Sequence, residues 1–303
     1  MTNRTMTRRE FVSRTASLAG AVMVTGLVGP VAGKEKQTAT DHVKLGKTGL
    51  KISRLGLGAG SKGGSIQRAL GQDGFNRLIR YAYDQGITYI DTADSYRTHE
   101  MVREAIKGLP REKLFIQSKM PGTPDNPLEV LDRYRKELGV EYIDSLLTHC
   151  TVTGAWDDER RRILDALEQA KENKIIRAHG VSCHSLPAVT LAAKLPWVDV
   201  NLVRINPQGA HMDTPAERWD APSDGSAVEP VIQQIREMRK NGHGVIGMKI
   251  IGDGDFTKAE DREKSIRFTM QSGLVDAVVI GFKSPAEIDE AIERINRALA
   301  DLA

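Results

Sequence analysis

Four residues in this 303-residue chain have types and spacing that could do chemistry together: Asp91, Tyr96, Lys119 and His149. Asp91 ends the run Thr-Tyr-Ile-Asp, Lys119 ends Leu-Phe-Ile-Gln-Ser-Lys, and His149 follows Asp-Ser-Leu-Leu-Thr. Three successive β-rich runs therefore each finish on an ionisable group, and Tyr96 follows Asp91 by five residues on the next loop. Taken singly, each has an ordinary structural use: a strand-end Asp caps a helix, a Lys is solvated, a His or Tyr packs. Their joint occurrence points to proton transfer. Reducing a carbonyl needs a hydride at carbon and a proton at oxygen, and a free phenol, with a pKa of about 10, is a weak acid at neutral pH. An ammonium beside Tyr96 would stabilise the phenolate, Asp91 would hold and balance that ammonium, and His149 would orient the reacting oxygen or assist its protonation.

Placing these groups on one rim requires parallel strands joined by helices. From about residue 55, short β-rich runs alternate with segments whose apolar residues recur at helical spacing. The strand candidates are Arg54–Leu57, Thr88–Asp91, Leu114–Lys119, Ile143–Thr148, Ile176–Val181, Val198–Arg204, Val245–Lys249 and Ala277–Ile280. Helical stripes cover Asp157–Asn173, Ala227–Lys240 and Pro285–Leu302. This is the size and order of an α/β (β/α)8 TIM barrel, although a doubly wound open sheet has the same alternation. The segment Val43–Ser53 reads as an N-terminal β-hairpin able to plug the barrel's bottom. Pro207–Ser226 is a long loop rich in Pro, Gly and Asp, and reads as a substrate-covering lid with Met212 and Trp219 as apolar contacts.

Composition removes several alternatives. With 43 basic against 40 acidic residues and no basic face, nucleic acid is not an expected partner. Cys150 and Cys183 are the two cysteines, too few for an iron–sulfur cluster or a four-ligand zinc site, and no metal is expected. The first 33 residues differ from the rest: Arg4, Arg8, Arg9 and Arg14 precede an apolar, glycine-containing stretch ending at Val31-Ala32-Gly33. Arg8-Arg9-Glu10-Phe11 resembles the twin-arginine motif, which implies the twin-arginine translocase as a partner during export and a destination in the periplasm or otherwise outside the inner membrane. The chain then divides into a signal segment, 1–33, and a barrel, 34–303. The apolar stretch is shorter than the roughly 20 residues needed to span a bilayer, so stable membrane insertion of the mature domain is not expected.

Longer motifs sharpen the reading. Tyr89-Ile-Asp-Thr-Ala-Asp-Ser-Tyr96, Ser118-Lys119, Leu146-Leu-Thr-His149, the opening Leu45-Gly-Lys-Thr-Gly-Leu-Lys-Ile-Ser53, Ile176-Arg-Ala-His-Gly-Val-Ser182 and Val279-Ile-Gly-Phe-Lys-Ser284 resemble the aldo-keto reductases from Val43 to the C-terminus. The resemblance implies a (β/α)8 barrel that binds an extended NADPH or NADH without a Rossmann domain and acts on a small carbonyl substrate. It makes Asp91, Tyr96, Lys119 and His149 the catalytic tetrad. It places Ser182 at the nicotinamide amide and Lys283 and Ser284 at the adenosine phosphate. Cys183 stands where the family usually has Asn, Leu202 where it has Gln, and Met248-Lys249 near its ring-stacking aromatic. NADP(H) is the favoured cofactor and NAD(H) the other candidate, since Glu287, Asp289 and Ala291 replace the Arg, Gln or Asn that follow Lys283 in the family.

The expected function is therefore an NAD(P)H-dependent carbonyl or aldehyde oxidoreductase. Two rivals keep the barrel: a lyase or aldolase in which Lys119 forms a Schiff base, and an exported barrel that binds without catalysis.

Overall fold

A computed structural model describes residues 37–302. The expected signal segment lies outside the described residues. The chain opens with the hairpin β1 (His42–Lys44) and β2 (Lys51–Ser53), paired antiparallel with His42 opposite Ser53. Eight strands follow: β3 (Leu55–Gly58), β4 (Tyr89–Asp91), β5 (Phe115–Met120), β6 (Ile143–Thr151), β7 (Ile176–Cys183), β8 (Val200–Arg204), β9 (Gly244–Met248) and β10 (Ala277–Gly281). All pair in parallel, and β10 bonds to both β9 and β3, so the sheet closes on itself. That closure excludes the open doubly wound sheet. Every expected strand forms, with ends that coincide or shift by at most three residues.

The strands are Val/Ile/Leu-rich because both faces are buried, one against helices and one inside the barrel. The outer core joins strands to helices such as Gly71–Asp84, Val228–Lys240 and Pro285–Ala300. The inner core stacks Tyr89, Phe115, Leu147 and Ile246 on Leu45, Leu50 and Ile52 of the hairpin segment. The hairpin thus closes the N-terminal end of the barrel, as its sequence suggests. Gly46 makes this fit: its φ is +50°, and a Cβ there would stand 2.6 Å from Gly242 O.

Two segments differ from the expectation. The stripe over Asp157–Asn173 forms two helices, Trp156–Glu159 and Arg161–Glu172, broken at Arg160 (φ −110°, ψ 18°). The Arg160 guanidinium donates to His149 O at 3.0 Å, which ties the break to the end of β6. The long connection Pro207–Ser226 does not present Met212 and Trp219 to a ligand cavity. Met212 is buried in the outer core, and Trp219 is 62% exposed. The segment is fastened from several sides: Arg204 Nη2 donates to Trp219 O (2.9 Å), Leu186 N–H to Thr214 O (2.8 Å) and Gly154 N–H to Glu217 Oε1 (2.7 Å).

Candidate active site

Side chains alternate across a strand, so residues two apart share a face. Tyr89 and Phe115 sit in the inner core, which puts Asp91, Gln117 and Lys119 on the same inward face, one and two layers above them. Leu147 does the same for His149. The register sets Asp91 beside Gln117 on the neighbouring strand, with Lys119 one layer higher.

Lys119 is fully buried, and Nζ donates to both Asp91 oxygens at 2.7 Å and to Thr92 O at 2.8 Å. All three ammonium protons are therefore engaged. Gln117 Nε2 donates to Asp91 Oδ1 and to Tyr89 Oη, each at 2.9 Å, so the carboxylate rests on the top of the inner core. The Lys119 ammonium lies 4.8 Å from the centroid of the Tyr96 ring. Burial pushes the Lys119 pKa down, and Asp91 opposes that shift.

Tyr96 lies on the turn Asp94–Tyr96, which Arg97 ends with φ +57° before the helix His99–Ile106. Two arginines fix this turn. Arg133 donates two hydrogen bonds to Asp94, Nη1 to Oδ1 (2.9 Å) and Nη2 to Oδ2 (3.0 Å), and Arg68 Nη1 donates to Tyr96 O. Gly60 provides the room for the ring, since a Cβ there would stand 2.5 Å from Tyr96 Cζ. Burial, then the charge of Asp91, pushes the Tyr96 phenol well above its ordinary range. The Lys119 ammonium, bonded to Asp91, does not outweigh that rise.

His149 meets Tyr96 edge to face, with ring centroids 5.5 Å apart, and Nδ1 lies 3.4 Å from Ser95 Oγ. A register shift between Thr148 and Thr151, with Cys150 at φ +55°, re-aims the strand end at this point. Burial, then the charges of Lys119 and Arg160, drives the imidazole down to about 3, so it is neutral at ordinary pH.

The four groups thus converge, and Asp91 and Tyr96 among them line a cavity of about 540 Å³. Asp91, Tyr96, Leu202, Met248 and Val279 line its inner end; Lys62, Lys249 and Asp253 its middle; Lys283, Glu287, Glu290, Arg262 and Arg294 its far end. Of the expected cofactor residues, Met248, Lys249 and Lys283 line it. Ser284 caps the last helix, accepting from Glu287 N–H at 3.4 Å. Ser182 is buried, with Oγ 3.4 Å from His184 Nε2, and does not line the cavity. Cys183 is a correction: it sits on the opposite face of β7 from Ser182, in the outer core, and its thiol accepts from Thr151 Oγ1 at 3.4 Å.

Other groups were missed from sequence. Gln117 was detectable as a polar residue at an inward position between Phe115 and Lys119. Arg133, Arg68 and Arg160 carry no local signal. A second buried pair, Arg204 and Asp213, lies in and beside the long connection. Nη1 and Oδ1 are 3.6 Å apart, and both Asp213 oxygens and Arg204 Nε have no hydrogen-bond partner. Burial pushes Asp213 up to about 7, although Arg204 pulls it down. Asp94, His99 and Glu137 bring potential metal-ligand atoms within 4.8 Å of one another, but Arg133 already bonds both carboxylates.

The sequence profile of the Aldo/keto reductase family matches residues 54–271. The chain belongs to that family. An aldo-keto reductase of Glycine max is 33% identical over 191 residues, which is 54% of this chain and 54% of the relative. The 9,11-endoperoxide prostaglandin H2 reductase of Trypanosoma cruzi is 31% identical over 170 residues, 52% of this chain and 54% of the relative. The chain thus matches about half the length of these curated relatives. A solved Bombyx mori aldo-keto reductase in complex with NADP shares the fold, with a TM-score of 0.62 at 18% identity over 86% of this chain and 92% of that one.

Proposed function

We propose that this aldo/keto reductase is an NAD(P)H-dependent oxidoreductase of small carbonyl compounds, with Tyr96 as proton donor, Lys119 and Asp91 supporting it, and His149 orienting the substrate oxygen. The observation that carries this reading is a single arrangement: a phenol held over a buried, fully bonded Lys119–Asp91 pair at the inner end of a large cavity.

The residues fit a nicotinamide dinucleotide. The inner end has Leu202, Met248 and Val279 as apolar surface for a ring, and the middle sets two lining cations, Lys62 and Lys249, against the one lining carboxylate they share, Asp253 (3.9 and 3.1 Å), which leaves positive charge for phosphates. When bound, the reduced nicotinamide supplies hydride to the carbonyl carbon. The carbonyl oxygen gains alkoxide character, and an alkoxide is far more basic than a phenolate. Tyr96, kept protonated by its raised pKa, can therefore still release its proton to it. The Lys119 ammonium beneath the ring then stabilises the phenolate. Neutral His149 contributes a hydrogen bond without competing as an acid. The family resemblance favours NADP(H), and the chain's own charges at the far end of the cavity bear on that preference.

A Schiff-base role for Lys119 is disfavoured, because its amine is buried and all three of its protons are bonded. The purified protein should consume NADH or NADPH with members of a carbonyl panel. Tyr96→Phe should lower kcat by about 10²–10⁴ while leaving nucleotide binding intact. A wild-type protein that binds neither nucleotide would end this reading.

Export through the twin-arginine translocase is part of the same proposal, supported by Arg8-Arg9 ahead of an apolar stretch. Replacing both arginines with lysine should retain a reporter fusion inside the cell, and unchanged export would refute the route. Among the described residues no helix is long and apolar enough to cross a membrane.

A further inference from the structure

The far end of the cavity carries an observation that the family resemblance does not supply: its cations are already taken. We propose that this end selects NAD(H) over NADP(H), and that Glu287 is the residue that sets the choice. The proposal rests on the oxidoreductase reading, because hydride transfer beside Tyr96 fixes the nicotinamide at the inner end. The adenosine end of an extended dinucleotide must then lie at the opposite end, where the helix Pro285–Ala300 begins.

Three cations stand there, and each is engaged. Arg262 places Nε and Nη2 2.8 Å from Glu290 Oε1 and donates from Nη1 to the carbonyls of Phe256 (3.0 Å) and Thr257 (2.7 Å). Arg294 donates to Glu290 Oε1 (2.8 Å) and Glu263 Oε2 (2.6 Å). Lys283 holds Nζ 3.6 Å from Glu287 Oε1, and its backbone N–H donates to Glu287 Oε2 at 2.9 Å. Each of the three cations thus pairs with a carboxylate, Glu263 being shared with Arg267 (3.0 Å).

Glu287 matters most because of its position. It is the third residue of the last helix, and its carboxylate accepts the Lys283 N–H just ahead of that helix. A phosphate approaching the helix start would have to displace this carboxylate. A 2′-phosphate, carrying close to two negative charges, meets Glu287 and Glu290 and finds no free cation. A ribose diol has hydroxyl protons to give, and a carboxylate accepts them. The same carboxylate that repels one nucleotide therefore binds the other.

The test is the dissociation constant of full-length protein for NADH and for NADPH, read from nicotinamide fluorescence. The wild type should bind NADH at least about tenfold more tightly, an energy difference of about 1.4 kcal/mol. Glu287→Gln should shrink that ratio chiefly by tightening NADPH, and Glu287→Arg should invert it by adding a cation and releasing Lys283. Thermal unfolding of both variants checks that the exposed helix start remains folded. Equal or tighter NADPH binding by the wild type would overturn the inference, as would a ratio unmoved by both substitutions. Binding of NADPH alone would overturn it while sustaining the oxidoreductase reading; binding of neither would overturn both.

Discussion

Two buried cation–carboxylate pairs stand near the same rim of this barrel, and they are built differently. Lys119 and Asp91 meet at 2.7 Å, with Thr92 O and Gln117 completing their bonds. Arg204 and Asp213 are just as buried, yet they stand 3.6 Å apart and leave three polar atoms without partners. A buried ion pair repays its desolvation only when geometry is close and the remaining bonds are made. The first pair meets that condition. The second does not, and its carboxyl is pushed up to about 7 by burial. Burial and charge type are alike; hydrogen bonding decides whether the ionised form survives.

The largest expected effect comes from breaking the well-made pair. Lys119→Met strands the Asp91 charge, so stability should fall by about 3–5 kcal/mol. Turnover should be lost as well. Adding Asp91→Leu should restore much of the stability and none of the turnover, as measured by denaturant unfolding and initial rates. A single variant as stable as the wild type would break the comparison from this side.

The loose pair should behave oppositely. Asp213 has a folded pKa near 7, above its ordinary 3.8. Its stabilising contribution is complete below the lower value, declines as the pH climbs past it, and is gone above the higher one. Asp213→Asn does not titrate, so its stability relative to the wild type should climb between pH 4 and 7 and then level off. The full climb is up to about 4 kcal/mol. A flat difference across that window would show that Asp213 stays ionised.

Smaller effects sharpen the contrast. Gln117→Leu removes one bond from Asp91 and leaves Tyr89 Oη without its donor, which should cost about 1–3 kcal/mol of stability. Smallest of all, the His149 ring should show no titration between pH 5 and 8, since it is held near 3. An NMR resonance assigned through His149→Asn and titrating near 6.5 would contradict that environment.

The sequence makes faces legible and partners obscure. All eight barrel strands could be read from short β-rich runs alternating with segments of helical spacing. The four converging groups could be read because each ends a run or follows one closely. Period-two alternation is legible at Cys183 too: one step out of phase with Ser182, it falls on the outer face of β7. The rest depends on contacts between distant segments. Nothing near Arg160 announces that it breaks a helix to hold the His149 carbonyl, and nothing near Glu290 announces its shared bond to Arg262 and Arg294. The bulge after Thr148 is invisible for the same reason: only the neighbouring strand reveals it.

Gly60 performs no chemistry, yet the Tyr96 ring occupies space that its missing methyl leaves vacant. A screen for lost activity would score Gly60→Ala beside the tetrad, although the altered position has no proton to give and no charge to place. Vacancy, in this barrel mouth, is a structural component inherited from a neighbouring loop.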